Sequence, residues 1–196
     1  MKTGQALIDD IDRTALPRGA VAFWWLGQLG YAVKLAGQVL YFDPYLAPRE
    51  TRQVPPLLAP EEVTHAAWVL GSHDHNDHID PVAIRGIAAA SPGARFVCSR
   101  VARGQVLSLG VAPERVIGMD EGTVHEEAGL RISAIAAEHE FFDRDPQLGY
   151  PYLCFIVEGD GVTILHTGDT LRYDGLVAKL SRWRFDLVFL PAAWAT

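Results

Sequence analysis

Short apolar runs separated by glycine-containing breaks mark the beginning of the chain. Residues 21–25, 31–35 and 39–42 are dominated by apolar side chains, and glycine stands in each of the breaks between them. Runs of this length, bounded by turn-forming residues, are typical of β-strands joined by tight turns. The pattern therefore predicts an antiparallel meander.

A proline-rich stretch follows, and the pattern changes beyond it. Residues 44–60 contain several prolines, and proline lacks the N–H that a helix interior or a central strand needs. We therefore predict a long loop there. After the loop, strand-like and helical patterns alternate, with strands expected at 67–70, 95–98 and 115–118 and helices at 81–90 and 101–109.

The second half of the chain returns to β-type runs. Strands are expected at 130–136, 152–157, 162–165 and 187–190, with a helix at 173–180. Two β-rich halves with helices outside them indicate a layered α/β arrangement. No repeat and no internal boundary is visible, so we interpret residues 1–196 as a single domain, a length that one apolar core can support.

Charge and composition narrow the function classes. The chain carries 24 acidic and 17 basic residues, a formal net charge of -7, which repels phosphate polymers and argues against nucleic acid as a partner. The N-terminus lacks the apolar core of a signal peptide, and no later apolar stretch approaches bilayer-spanning length, so we expect no membrane partner. Cys98 and Cys154 lie in apolar runs and are expected to be reduced core thiols. Together these features predict a cytoplasmic protein.

The richest cluster of candidate ligands is the run His73-Asp74-His75-Asn76-Asp77-His78, directly after an apolar run that ends at Leu70. Imidazole and carboxylate groups suit zinc and similar divalent ions, and the exit of a strand leaves open space where ligands can meet. In an extended turn the side chains of the first two histidines point the same way, while Asp77 and His78 lie beyond the bend at a second position. The run can therefore supply ligands to two adjacent ions. A solvated polar loop is the alternative interpretation.

The spacing His-x-His-x-Asp-His after a strand resembles the signature of the metallo-β-lactamase superfold. Residues 24–27, 42–44, 72–80 and 166–170 together resemble the L-ascorbate-6-phosphate lactonase-like branch of that superfold. The resemblance extends over roughly residues 20 to 190. It implies an α/β fold in the form of a four-layer αββα sandwich.

The resemblance also implies a set of site residues. It implies a first metal held by His73, His75 and His139, and a second held by Asp77 and His78, with Asp169 bridging the two. Asp43 would orient a metal-bound histidine through the second nitrogen of its ring. One or two divalent ions are expected, zinc or manganese, and the mixed nitrogen and oxygen ligands are also compatible with iron. No role is assigned to the remaining histidines: His65 is expected in a helical stretch, His125 in a polar turn and His166 on a strand.

The implied function is a metal-dependent hydrolase in which a metal-bound hydroxide attacks a lactone or related ester, for example a phosphorylated sugar lactone. Asp77 is the candidate proton acceptor. The substrate would be a small molecule. Candidate pocket residues, nominated by their proximity to the motifs in the sequence, are Arg49, Arg52, Arg144, Tyr150 and Tyr173, and an arginine can bind a phosphate or carboxylate. Two alternatives stay open: a phosphodiesterase or nuclease on the same scaffold, and a non-catalytic metal-binding domain with an incomplete second metal site.

The C-terminus departs from the family pattern. The superfold normally supplies one more histidine to the second metal from a loop near the C-terminus, and this sequence stops at Thr196, shortly after the apolar run 187–190. We therefore expect the fold to be incomplete there. Three explanations stay open: the chain is a fragment, another chain completes the site, or Asp77, His78 and Asp169 alone bind the second metal weakly. The sequence leaves the oligomeric state open.

Overall fold

A computed structural model describes residues 1–50, 52–140, 142 and 144–191. The regular elements of this part are helices α1 (Gln5–Arg13), α2 (Pro81–Ala90), α3 (Arg103–Ser108) and α4 (Leu176–Leu180), and strands β1 (Ala22–Gly27), β2 (Gly30–Leu35), β3 (Gln38–Phe42), β4 (Trp68–Leu70), β5 (Arg95–Ser99), β6 (Val116–Met119), β7 (Val124–Glu127), β8 (Leu130–Ala136), β9 (Leu153–Gly159), β10 (Val162–His166) and β11 (Leu187–Phe189). Short 3-10 turns lie at Pro60–Glu62 and Pro113–Arg115.

The strands form two sheets. The first has six strands in the order β1-β2-β3-β4-β5-β6, and the second has five in the order β11-β10-β9-β8-β7. Strands β1, β2 and β3 pair antiparallel, which confirms the predicted meander, whereas β3 to β6 pair parallel. In the second sheet only β10 and β11 are parallel.

Three apolar cores separate the layers. The middle core packs β2 to β5 against β8 to β10, with Phe42, Leu70 and Phe155 among its buried side chains. One outer core packs the first sheet against α1, α2 and α3, and the other packs the second sheet against α4 and the segment after it. Helix, sheet, sheet and helix therefore follow one another, and the αββα sandwich is confirmed.

Two elements were not anticipated from the sequence, and two histidines lie elsewhere than expected. Helix α1 buries only Leu7, Ile8 and Ile11, a narrow stripe among acidic residues. Strand β7 is a polar edge strand and contains His125, which we had placed in a turn. Edge strands need bury little apolar surface, so apolar periodicity does not reveal them. His65 lies in a loop after the first 3-10 turn, not in a helix.

Strand ends from both sheets meet at one edge of the sandwich. Asp43 follows β3, and the run from Ser72 to His78 follows its parallel neighbour β4. From the second sheet, His139 follows β8 and Asp169 follows β10. Ligands of α/β sheets bind outside the carboxyl ends of the strands, and the candidate residues lie in that position. Within the described residues, the helices fall short of the length and apolar character needed to cross a bilayer.

Candidate metal centre

The loop between β4 and α2 is fixed at both ends. A Cβ on Gly71 would lie 2.6 Å from the side chain of Ile79, so glycine is required where the loop begins. At the far end Asp80 caps α2, because its carboxylate accepts the backbone N–H of Val82 at 3.0 Å and that of Leu46 at 2.8 Å. The histidines between these points are therefore presented by a rigid loop.

One donor group is formed by His73, His75 and His139. Their donor atoms all lie within 4.8 Å of one another, and the ring of His73 lies 4.5 Å from that of His75 and 5.1 Å from that of His139, centre to centre. His139 reaches this position because the segment after β8 is bridged to the loop after β10, where Leu171 N–H donates to Glu138 O at 2.6 Å. The three residues come from two sheets and meet at one point.

A second group overlaps the first. Donor atoms of His73, His78 and Asp169 also lie within 4.8 Å of one another. The Oδ2 of Asp169 lies 3.2 Å from His78 Nε2 and 4.0 Å from His139 Nε2. This carboxylate thus stands between the imidazoles of both groups, the position that a bridging ligand requires.

Asp77 lies at the edge of the centre. Its Oδ2 is 3.8 Å from His78 Nε2, and its side chain is 42% exposed. It does not belong to either group of converging donor atoms among the described residues. Asp77 does line a pocket of about 510 Å³ together with His78 and Asp169, so its carboxylate faces the space where a substrate would lie.

Asp43 is buried beneath the histidines. It has a φ of 40°, a left-handed conformation that aspartate tolerates better than most side chains. Its carboxylate accepts the backbone N–H and the hydroxyl of Ser72, both at 2.7 Å. The same carboxylate lies 2.6 Å from His78 Nδ1, so it contacts the loop after β4 at three points.

These contacts hold a proton on Nδ1 of each ring and set the direction of Nε2. Burial raises the pKa of Asp43, but the charges of His78 and His166 and the hydrogen bond from His78 together outweigh burial and hold that pKa well below its ordinary value. The ionised carboxylate can only accept, so His78 Nδ1 donates to it. The single hydrogen of the Ser72 hydroxyl also goes to Asp43, so the hydroxyl accepts from His73 Nδ1, 3.0 Å away. Both rings therefore turn Nε2 toward the centre.

The buried Nε2 of His73 tests whether a metal fits. Burial, together with the charge of His78, lowers the pKa of His73 to about 3, so the ring is neutral and Nε2 carries a lone pair. That atom is buried and has no hydrogen-bond partner among the described residues. A buried polar atom without a partner is costly, and a neutral imidazole nitrogen beside further imidazoles and a carboxylate is a suitable ligand for a divalent ion. The residues fit the metal that the sequence implies.

Three residues to which we had assigned no role contribute to the centre. Ser72 links Asp43 to His73, as described above. His166 is buried; its Nε2 donates to Leu29 O at 3.1 Å, and its Nδ1 accepts the N–H of Gly168 at 3.3 Å. His166 thereby supports the turn that carries Asp169. The ring of Tyr152 lies 5.3 Å from His73 and 5.4 Å from His139. Ser72 and His166 lie within motifs that the sequence resemblance already included, whereas nothing in the local sequence around Tyr152 marks it as a site residue.

The candidate substrate-binding side chains differ in whether they are engaged within the protein or line a pocket next to the centre. Arg144 pairs with Asp120 at 3.4 Å and Tyr173 donates to Ala136 O at 2.6 Å, so both are engaged within the protein. Tyr150 stacks near Phe142, and Arg49 is exposed. Arg52 lines a pocket that adjoins the one at the centre, since both pockets include Trp25 and Gln28.

A family model described as the beta-lactamase superfamily domain matches residues 39–196. The chain belongs to the beta-lactamase superfamily. Within this superfamily, a metal-dependent hydrolase from Archaeoglobus fulgidus is 30% identical over 85% of this chain and 69% of its own length. The chain is thus a member of the metal-dependent hydrolases of the superfamily.

Two further proteins extend the comparison. An Escherichia coli protein named "Probable L-ascorbate-6-phosphate lactonase UlaG" is 24% identical over 90% of this chain, and the chain spans 61% of that protein's length. The solved structure of "a possible metal-dependent hydrolase" from Veillonella parvula matches with a TM-score of 0.68 at 18% identity, over 85% of this chain and 69% of that one. The structural match supports the fold, and the named activity belongs to the relative.

Proposed function

We propose that this protein hydrolyses a small-molecule lactone or related ester, such as a phosphorylated sugar lactone, with one or two divalent ions held at the centre. His73, His75 and His139 would hold the first ion, and Asp77, His78 and the bridging Asp169 the second. The observation that carries the proposal is the buried Nε2 of His73, which has no hydrogen-bond partner in the described part of the chain and lies within 4.8 Å of donor atoms on His75 and His139. Zinc and manganese suit these ligands, and iron is compatible with them.

The chain's own residues would divide the chemical tasks. A divalent ion bound there polarises a carbonyl oxygen and lowers the pKa of a coordinated water. Asp43 and Ser72 hold the rings of His78 and His73 with Nε2 directed inward. Asp77 faces the pocket and is suited to accept a proton there. The apolar side chains of Trp25, Leu29 and Tyr31 line the same pocket and would exclude water from part of the substrate.

A substrate comparison with the metal-loaded protein tests the proposal. We expect hydrolysis of a phosphorylated sugar lactone that is lost after chelation and returns with added zinc or manganese. His139→Ala should abolish this hydrolysis, and His65→Ala should not, because His65 pairs with Asp12 away from the centre. Equal activity before and after complete metal removal would contradict the proposal.

The same experiment separates the two alternatives. Hydrolysis of a bis-aryl phosphodiester in place of the lactone would indicate a phosphodiesterase on this scaffold. The non-catalytic alternative is favoured by one observation, the position of Asp77 outside both groups of converging donor atoms in the described residues. Activity on neither substrate, with one metal bound per chain, would support it. The free and buried Cys98 and Cys154 support the further proposal of a reducing, cytoplasmic location.

A further inference from the structure

Two pockets adjoin at Trp25. The first, of about 510 Å³, contains Asp77, His78 and Asp169. The second, of about 260 Å³, contains Arg52 and Tyr45, and both are lined by Trp25 and Gln28. A ligand long enough to pass Trp25 would therefore touch the metal centre at one end and Arg52 at the other.

Arg52 is held in place by neutral groups. Its Nε donates to Val54 O and its Nη1 to Tyr45 O, both at 3.0 Å, and its guanidinium carbon lies 4.5 Å from the centre of the Tyr45 ring. No carboxylate in the described part of the chain lies within ion-pair distance of Arg52. Nη2 faces Gly27, where an added Cβ would lie only 3.3 Å from it.

The remaining N–H groups of Arg52 have no protein acceptor among the described residues. A guanidinium has five N–H donors, and the two hydrogen bonds to carbonyls leave those on Nη2 free. An arginine that is positioned by its surroundings but lacks a counter-charge is suited to bind phosphate or carboxylate in a forked geometry.

Trp25 connects the two ends. Its Nε1 donates to Gln28 O at 2.7 Å, which fixes the indole, and the residue is 57% exposed. Gln28 has a φ of 48°, so this turn holds a left-handed conformation that is uncommon for a side chain of this kind. The result is a flat apolar surface between the metal centre and Arg52, suited to the carbon skeleton of a ligand.

We infer that Arg52 is the binding site for an anionic group, phosphate or carboxylate, at the end of the substrate remote from the reacting carbonyl. This inference rests on the proposed function for the identity of the reacting end. The substrate class is then an anionic lactone or ester, with its skeleton on Trp25 and its charged terminus on Arg52. Arg144 does not take this role because Asp120 neutralises it.

Binding of product-like acids tests the assignment without any turnover. Gluconate, glucarate and 6-phosphogluconate share a sugar-acid skeleton and differ at the far carbon, which carries a hydroxyl, a carboxylate or a phosphate. We expect the metal-loaded protein to bind at least one of the two acids with a second anionic group about tenfold or more tightly than gluconate, as measured by calorimetry. The tighter of the two identifies the anionic group that Arg52 prefers.

Substitutions test whether the preference for acids with a second anionic group depends on Arg52. Arg52→Gln keeps amide donors for the backbone carbonyls but removes the charge, and it should bring the affinities for all three acids to within about threefold of one another. Arg18→Gln, at an exposed arginine to which no binding role is assigned, is the control and should discriminate as the parent does. Thermal melting checks that both variants fold, and Arg52→Lys should retain part of the preference.

Two results would overturn the assignment: a parent protein with equal affinity for the three acids, and an Arg52→Gln variant that discriminates as the parent does. The test is separate from that of the proposed function. A preference for the anionic acids that depends on Arg52 would support this site even in a protein that fails to hydrolyse any lactone.

Discussion

The Oδ2 of Asp43 lies 2.6 Å from the Nδ1 of His78, and the two side chains are 1% and 3% exposed. The residues are 35 positions apart and come from the ends of two neighbouring parallel strands, β3 and β4. The contact fixes the orientation of a proposed metal ligand, because Nδ1 donates to the carboxylate and Nε2 is directed toward Asp169.

Replacement of Asp43 should weaken metal binding. In Asp43→Asn the amide cannot act as an ionised acceptor for His78, and loss of such a partner typically lowers metal affinity about 10- to 100-fold. The measurement is competitive metal titration with a chromophoric chelator. Asp12→Asn is the matched control, since Asp12 lies 2.6 Å from His65 Nδ1 in a pair away from the centre. Equal affinities for both variants would show that Asp43 has no part in metal binding.

Replacement of Ser72 should affect His73 in the same way. Ser72→Ala removes the acceptor of His73 Nδ1 and leaves a buried donor without its partner, at a cost of about 1–3 kcal/mol in stability. Metal affinity should fall as well, because the ring is no longer held with Nε2 inward.

The control for Ser72 is Ser91→Ala. The hydroxyl of Ser91 is also buried and bonded, to Val63 O at 2.7 Å and Ala66 N at 3.0 Å, but it lies outside the centre. Urea unfolding should show a similar loss of stability for both variants, and metal titration should show a loss only for Ser72→Ala. A Ser72→Ala protein with unchanged metal affinity would contradict the role assigned to this hydroxyl.

Gly168 should not tolerate a side chain. Its φ is +54°, and an added Cβ would lie 2.7 Å from Cβ and Oγ of Ser72. In Gly161→Ala, at φ +83° with nothing within 4 Å, only the backbone cost of about 1–2 kcal/mol is expected. Gly168→Ala should lose about 1–3 kcal/mol more through overpacking and should also bind metal less tightly. Denaturant melts of the two variants check this, and equal losses would show that the close approach to Ser72 is unimportant.

The metal-free protein should lose stability as the pH rises above 6.5. Burial lowers the pKa of His78, but the charge of Asp43 and the contacts with Asp169 outweigh burial and raise that pKa well above 6.5. A group whose pKa is higher in the folded than in the unfolded protein contributes its full stabilisation at pH values below its unfolded pKa. That contribution is lost as the pH rises through the folded pKa. Chelated protein should therefore unfold at lower urea concentration at pH 9 than at pH 6. In Asp43→Asn the difference between the urea concentrations of unfolding at pH 6 and pH 9 should be smaller. A difference as large as that of the parent protein would exclude the Asp43–His78 pair as its cause.

Local features of the sequence predicted much of the architecture. The meander, the proline-rich loop and the alternation of strands and helices follow from apolar periodicity and turn residues, which act over a few positions. The run from His73 to His78 was predicted at the exit of a strand for the same reason, because its ligand types and its place after the apolar run are both visible in the chain. Polar β7 was missed because its edge position requires little apolar surface.

Only the tertiary structure decided how distant residues meet. Strand pairing placed Asp43 beside Ser72 and His78, and the bridge between Glu138 and Leu171 brought His139 to Asp169. It also distinguished Arg52, which has no carboxylate partner among the described residues, from Arg144, which Asp120 neutralises. The sequence determined which chemical groups are present and which strand ends carry them. Their distances, burial and protonation depend on sheet register and on neighbours far along the chain, which periodicity does not encode.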